Sequence, residues 1–349
     1  MISIEQAQLE VVAEFPKGYF LENLAVRADG SILISAMNKS ELWYLPAPGS
    51  SLPVEPVLVH TFDLMTLNMV EVSDDVFYLT ASDVYKTRVS HLHRLDFRGW
   101  KPGDTIRPEL LLEFPEPKVA MNGSCLLAPN VLLAAGATSL IWRVDLPVDG
   151  KPVRARIWME HDNMKMRPGE KKPEQPGVNG VRYAARTSYL YYTSTSQQLM
   201  MRVRVDQETL DPAELPEFVA GGRYWDDFVL DEDAGIAYVT THRENTIDRV
   251  VMQADGNRAG FAVAAGDPFT EMLVGPSSGV WGRQPSDYGR VAYFTTDGGT
   301  AQPPDGVLRT AKVLRVTFPA SFGPLPSWQL TTREIKPCSN DPSPSLVLP

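Results

Sequence analysis

The sequence predicts an all-β fold: a six-bladed β-propeller with four-stranded antiparallel blades and an N-terminal strand that closes the ring. Three observations predict it. Helical spacing of apolar residues is scarce, whereas short β-branched and aromatic runs separated by Gly, Asp and Pro fill nearly the whole chain. One unit of three such runs recurs six times, roughly every 43 to 57 residues, which is the period of propeller blades. Each unit also sets a polar side chain at the start of its first run.

Taken in order, the first unit is Glu22 to Leu45, with a turn at Asp29–Gly30. The second has runs opening at Leu67 and Val76 and ending at Phe97; the third opens at Asn122 and Val131 and ends at Leu146. The fourth opens at Asn179 and Ser188 and ends at Asp206; the fifth opens at Asp226 and Gly235 and ends at Met252. The sixth opens at Ser277 and Arg290 and ends at Phe318. Weaker runs between units (VLVHTF, ELLLEF, ARIWME, PEFVA and FAVAAG) supply the outer strands. LEVVAEF, Leu9 to Phe15, precedes the first unit and is expected to pair with the last blade, removing an exposed edge. The segment His161 to Gly177 breaks the rhythm just before the fourth inner strand, as either a lid over a pocket or a solvated insertion.

The boundaries follow: one propeller domain over residues 1–318 and a Pro/Ser-rich tail over 319–349. A net charge of −10 without a basic patch argues against nucleic acid. No apolar run approaches the ~20 residues of a membrane helix. The start of the chain lacks the basic residues and apolar block of a signal peptide, which reads as cytoplasmic, and a monomer is expected. Cys125 and Cys338 form neither a disulfide framework nor a metal cluster, and Cys125 reads as a small core residue.

In a propeller the starts of the inner strands ring one mouth of the channel. Here that ring comprises Glu22 and Asn23, Asn68, Asn122, Asn179, Asp226 and Asp227, and Ser277 and Ser278. Asn and Asp also favour turns ahead of strands, so turn chemistry is the competing explanation. Glu22, Asn179 and an Asp of the fifth unit would supply oxygen ligands suited to Ca²⁺, Mg²⁺ or Mn²⁺. None of the five histidines (His60, His91, His93, His161 and His242) falls on an inner strand, which argues against a His-based metal site or a Ser–His–Asp triad. His91 and His93 alternate on an outer run and read as surface residues. There is no G-x-S-x-G, P-loop or dinucleotide fingerprint.

The elements ENLAVR, NGVRYAARTSYLYYTST and DDFVLDEDAGIAYVTT resemble the senescence-marker-protein/gluconolactonase family of six-bladed propellers, over about 300 residues. The resemblance implies a divalent cation held by Glu22, Asn179 and Asp226, and a substrate- or water-contacting role for Asn122. Asp226 fits the family's spacing to Asp231, whereas Asp227 fits the register of this chain. The family's lactonases carry an Arg two residues before the position of Asn122; here Ala120 stands there, followed by Met121. Leu67, Met69, Tyr224, Trp225, Phe228 and Val280 surround the ring, a setting for a flat apolar molecule rather than a sugar. The wording also resembles a fungal branch of the family that includes hetero-Diels–Alderases joining a tropolone quinone methide to a sesquiterpene alkene.

Three functions follow as expectations. A cyclase would bind apolar small molecules against Met69, Met121, Tyr224, Trp225 and Phe228. It would orient them through Asn68, Asn122, Asp227 and Ser278, and would require no cofactor. A lactone hydrolase would use a Ca²⁺ or Mg²⁺ ion at Glu22, Asn179 and Asp226. A non-catalytic propeller would instead present an apolar top face to another protein.

Overall fold

The computed structural model describes residues 6–147, 152–167, 175–252 and 260–319, so the tail from residue 320 lies outside the described residues. Six four-stranded antiparallel sheets stand around one axis. Five are built from consecutive strands. The sixth takes Gln8–Lys17 as its outermost strand, paired to Thr310–Thr317. The expected ring closure is therefore observed, and the three-strand unit with a weaker outer run holds in every blade. Besides strands, the described residues contain two short 3-10 turns, Met37–Lys39 and Asp162–Met164.

The core is a ring of six wedges, one between each pair of neighbouring blades. Between blades 4 and 5, for example, Tyr191, Met200 and Val219 pack against Trp225, Phe228 and Val239. Between blades 2 and 3, Leu67, Val76 and Leu92 meet Met121, Leu132 and Trp142. Apolar side chains thus alternate between a blade's two faces, as a period of two requires. Cys125 belongs to the wedge between blades 3 and 4, and its burial pushes the thiol up to about 12.

All six inner strands break register near their start. The irregularity falls between Leu21 and Asn23, Thr66 and Met69, Met121 and Ser124, Val178 and Val181, Trp225 and Phe228, and Pro276 and Gly279. The residues inside those breaks are Glu22, Leu67 and Asn68, Asn122 and Gly123, Asn179 and Gly180, Asp226 and Asp227, and Ser277 and Ser278. The polar ring read from the sequence is therefore a ring of bulges, and a bulge re-aims side chains out of the plain alternation.

A bulge leaves backbone groups without ladder partners, and here hydroxyls on the second strands meet them. Ser35 Oγ accepts from Asn23 N at 3.0 Å and donates to Leu67 O of the next blade at 2.6 Å. Thr193 accepts from Gly180 N at 2.9 Å and reaches Asp226 O. Thr240 accepts from Asp227 N at 3.0 Å and lies 3.0 Å from Ser277 O. Ser277 Oγ in turn donates to Leu21 O of blade 1 at 2.5 Å. In blades 1, 4 and 5 one short hydroxyl residue thus serves both its own bulge and the next blade; Thr80 of blade 2 serves its own bulge alone, and Thr295 of blade 6 meets Ser277, which makes the contact to blade 1. Blade 3, with Ala135 at the matching place, has no such hydroxyl.

Candidate functional site

The bulges direct two tiers of side chains toward the axis. The lower tier is a buried polar network, in which Asp227 Oδ1 is left without a hydrogen-bond partner among the described residues. Asn23 donates to Ser278 Oγ at 2.9 Å, and Ser278 donates to Asp227 Oδ2 at 2.6 Å. Arg182 donates to the same oxygen at 2.6 Å and lies 5.8 Å from the Phe228 ring centroid. Ser124 bonds Asn68 Oδ1. Asn68, Asp227 and Ser278, expected to contact substrate, are thereby buried and committed to this plug, apart from the cavity above it.

That cavity, of about 550 Å³, opens at the mouth. Its lining includes Glu22, Asn122, Asn179 and Asp226, together with Met121 and Leu67. Asp226 faces the cavity and Asp227 the plug, which separates the two candidates that the sequence left open. Apolar walls come mainly from blades 1 to 3: Phe20, Met37, Leu67, Val84, Ala120 and Met121. Asn179, Asp226, His242 and Arg243 gather on the side of blades 4 and 5. The described ends of the 161–177 insertion border the cavity through Met166, Gln175 and Pro176.

Met69, Trp225 and Phe228 do not line it. Met69 packs between blades 1 and 2, and Trp225 and Phe228 are fully buried between blades 4 and 5. The Trp225 indole donates to Asp248 Oδ2 at 2.9 Å, away from the mouth. Tyr224 and Val280 are half-buried and also outside the lining. The reason is the bulge: it turns Asp226 and Asp227 toward the axis and leaves the flanking Trp225 and Phe228 in the wedge.

His242 lies off the inner strands, as the sequence indicates, and yet belongs to the mouth. It follows the second strand of blade 5, Ile236–Thr241, whose end returns to the same rim as the inner-strand starts. Its Nε2 lies 3.1 Å from Asp297 Oδ2 and its Nδ1 3.6 Å from Asp226 Oδ2, with the Phe20 ring against it at 5.1 Å. Asp297 also accepts from Gly299 N at 2.6 Å and Ala301 N at 2.7 Å, which fixes its carboxylate. Burial disfavours a charged imidazole, but Asp297, followed by Asp226 and Glu22, outweighs it and raises His242 to about 9. Glu22 is held well above the usual carboxylate range by burial and then by Asp226. Asp226 is also pushed up by burial, against the lowering effect of His242. Glu22 and Asp226 thus share a buried site in which burial and their mutual repulsion disfavour two full charges at once.

Elsewhere, His91 and His93 are half-buried rather than surface residues. His93 Nδ1 is buried without a partner, and the rings of His91 and Phe62 lie 5.8 and 5.3 Å away.

The residues fit a hard cation at one point. Thr195 Oγ1 donates to Trp225 O at 2.7 Å, so it must accept from Asn179 Nδ2 at 2.9 Å; the same amide nitrogen donates to Asp226 Oδ1 at 2.6 Å. That orientation leaves Asn179 Oδ1 buried and unpartnered, on a residue that lines the same cavity as Glu22 and Asp226. Counting His, Cys, Asp and Glu alone, no group of three among the described residues is arranged to hold a metal, so any site depends on this amide oxygen.

Comparisons with known proteins agree with the fold. No protein-family profile matches the chain. A Phoma sp. protein provisionally named a hetero-Diels–Alderase is 23% identical over 305 residues, covering 78% of this chain and 82% of its own. A luciferin-regenerating enzyme superposes with a TM-score of 0.65 at 14% identity, over 89% of this chain and 95% of that one. A calcium-binding regucalcin from Agrobacterium tumefaciens gives 0.57 at 15%, over 88% and 96%. No helix among the described residues is long and apolar enough to cross a membrane. The chain is a six-bladed β-propeller whose structural neighbours include regucalcin- and gluconolactonase-type propellers, and whose curated relative carries a hetero-Diels–Alderase name.

Proposed function

We propose that this chain is a biosynthetic cyclase of the hetero-Diels–Alderase type, joining an o-quinone methide of tropolone type to a terpene alkene in the channel mouth. The observation that carries this reading is the two-sided cavity: an apolar wall faces a polar one, and the Asn122 side chain between them has no hydrogen-bond partner among the described residues. A cycloaddition loses no atoms and needs no nucleophile. Its two new bonds form once the partners are held face to face, a source of up to ~7–11 kcal/mol. Met37, Leu67 and Met121 offer adaptable surface to the hydrocarbon partner. The Asn122 amide donates to the carbonyl oxygen of the heterodiene, where negative charge grows in the transition state. His242, fixed by Asp297, keeps the opposite wall polar and orients that oxygen.

The lactone-hydrolase reading is favoured by the unpartnered Asn179 Oδ1. A divalent cation held by Glu22, Asn179 and Asp226 would supply Lewis-acid polarisation of a carbonyl there.

The test is turnover of a quinone-methide precursor with a sesquiterpene polyene, and of a simple lactone, with and without a chelator. Rate enhancement and a single stereoisomer that survive the chelator support the cyclase. Lactone turnover that the chelator abolishes overturns it in favour of the hydrolase.

A further inference from the structure

The cavity rim carries two guanidinium groups in different states. Arg243 is held by Gln175, whose amide oxygen accepts from it. Arg88, on the loop between the second and third strands of blade 2, forms no ion pair or side-chain hydrogen bond among the described residues. Its loop is nonetheless firmly tied. Asp83 Oδ2 accepts from Thr87 N at 2.9 Å and Thr87 Oγ1 at 2.8 Å, Asp83 O from Arg88 N at 3.0 Å, and Val89 O from Asp83 N at 2.9 Å. Arg88 itself sits in the left-handed region, φ 59°, which a residue with a Cβ adopts only at a cost. Tyr85, 72% exposed at the tip of the same loop, also borders the cavity.

Arg88, itself exposed, therefore stands at the rim of a largely apolar hollow with no protein partner for its five donors among the described residues, a geometry that matches two adjacent anionic oxygens. On the polar side of the cavity the His242 ring is already paired with Asp297 and Asp226, whereas Arg88 stands on the side of blades 1 to 3, where the apolar walls lie. An anionic group is thus directed to the Arg88 rim, and the apolar body inward against Met37, Leu67 and Met121.

We infer that the mouth selects an organic anion, an apolar body bearing a carboxylate-like oxygen pair, and that Arg88 is the residue that recognises the charge. This rests on the reading of the cavity as the substrate site, and it sets both the class and the orientation of one substrate.

The test uses 2-naphthoate and 2-naphthamide, which share shape and differ in charge, with binding measured by calorimetry at low salt. Wild type should bind naphthoate at least tenfold more tightly than naphthamide. Arg88→Gln should abolish that preference and leave naphthamide affinity unchanged. Arg88→Lys should restore part of it, and Arg107→Gln, an exposed arginine elsewhere, should change nothing. Circular dichroism verifies that the variants fold. Equal affinity for the two probes, binding of neither, or an undiminished preference in Arg88→Gln overturns the inference. Neither probe can undergo cycloaddition, so the outcome is separate from that of turnover. Naphthoate preference without cyclase activity removes only the proposed function, and cyclase activity without the preference removes only this inference.

Discussion

At the scale of single residues, the side chains that matter are those left with something to do. Asn122 faces the cavity without a partner, whereas Asn68 and Ser278 are spent on neighbours. Asn122→Ala is expected to lower kcat by roughly 10- to 100-fold with little change in melting temperature, because the lost hydrogen bond strengthens only in the transition state. Steady-state kinetics beside a thermal melt check this, and an unchanged kcat contradicts it. Trp225→Ala should behave in the opposite way. Its ring fills the wedge between blades 4 and 5, so truncation should cost roughly 3–5 kcal/mol of stability, read by denaturant unfolding. Loss of activity in that variant would report a damaged fold and not a lost substrate contact.

Individual elements follow one rule in five of the six blades: a bulge on the inner strand and a small hydroxyl on the second. Thr240→Val keeps the shape but removes the acceptor for Asp227 N and the group facing Ser277 O. A buried N–H left unsatisfied costs about 1–3 kcal/mol, so the variant should be less stable by that amount, and Thr240→Ser should recover most of it. Equal stability of all three proteins would contradict the rule. The outer strands give a second case. Burial, then the charges of His91 and His60, lower His93 to about 4 from an ordinary 6.5. As pH falls through 6.5 the unfolded chain takes up a proton that the folded chain refuses until about 4. Stability from this group is therefore complete above pH 6.5 and declines between 6.5 and 4. His93→Gln should lose that part of the decline, of order 1–2 kcal/mol given the partial exposure of the ring. Parallel stability profiles for the two proteins would contradict it.

For the whole molecule, closure is the decisive event. Gln8–Lys17 covers the edge of Thr310–Thr317 and contributes Val12, Ala13 and Phe15 to the wedge between blades 6 and 1. A variant beginning after Lys17 exposes both an unpaired strand edge and that apolar wedge. It should aggregate or lose cooperative unfolding, measured by light scattering and a denaturant titration; a monodisperse, cooperatively folding truncation would contradict this. Closure also explains how the cavity arises, since its lining is contributed by blades distant in the chain and brought to one rim only by the ring.

Periodicity and turn chemistry in the sequence by themselves determined the number of blades, their strands, the closing segment and the polar ring, because these are local signals repeated six times. Glu22, Asn122, Asn179 and Asp226 were legible as a set for the same reason: each holds the same place in its repeat. The direction of each side chain was not legible, because plain alternation fails inside a bulge. Trp225 and Phe228 looked like pocket walls beside Asp226, yet the bulge leaves them in the wedge and turns Asp226 and Asp227 inward. His242 lies after a second strand and so outside the repeated place, at the starts of the inner strands, that marks the polar ring. The antiparallel return of each second strand brings its end to the same rim, so VTTHREN did carry a signal. Arg88 had no signal at all. That it has no charged partner among the described residues, and that it stands at the rim of an apolar hollow, are properties of the space between blades, which only the tertiary structure decided.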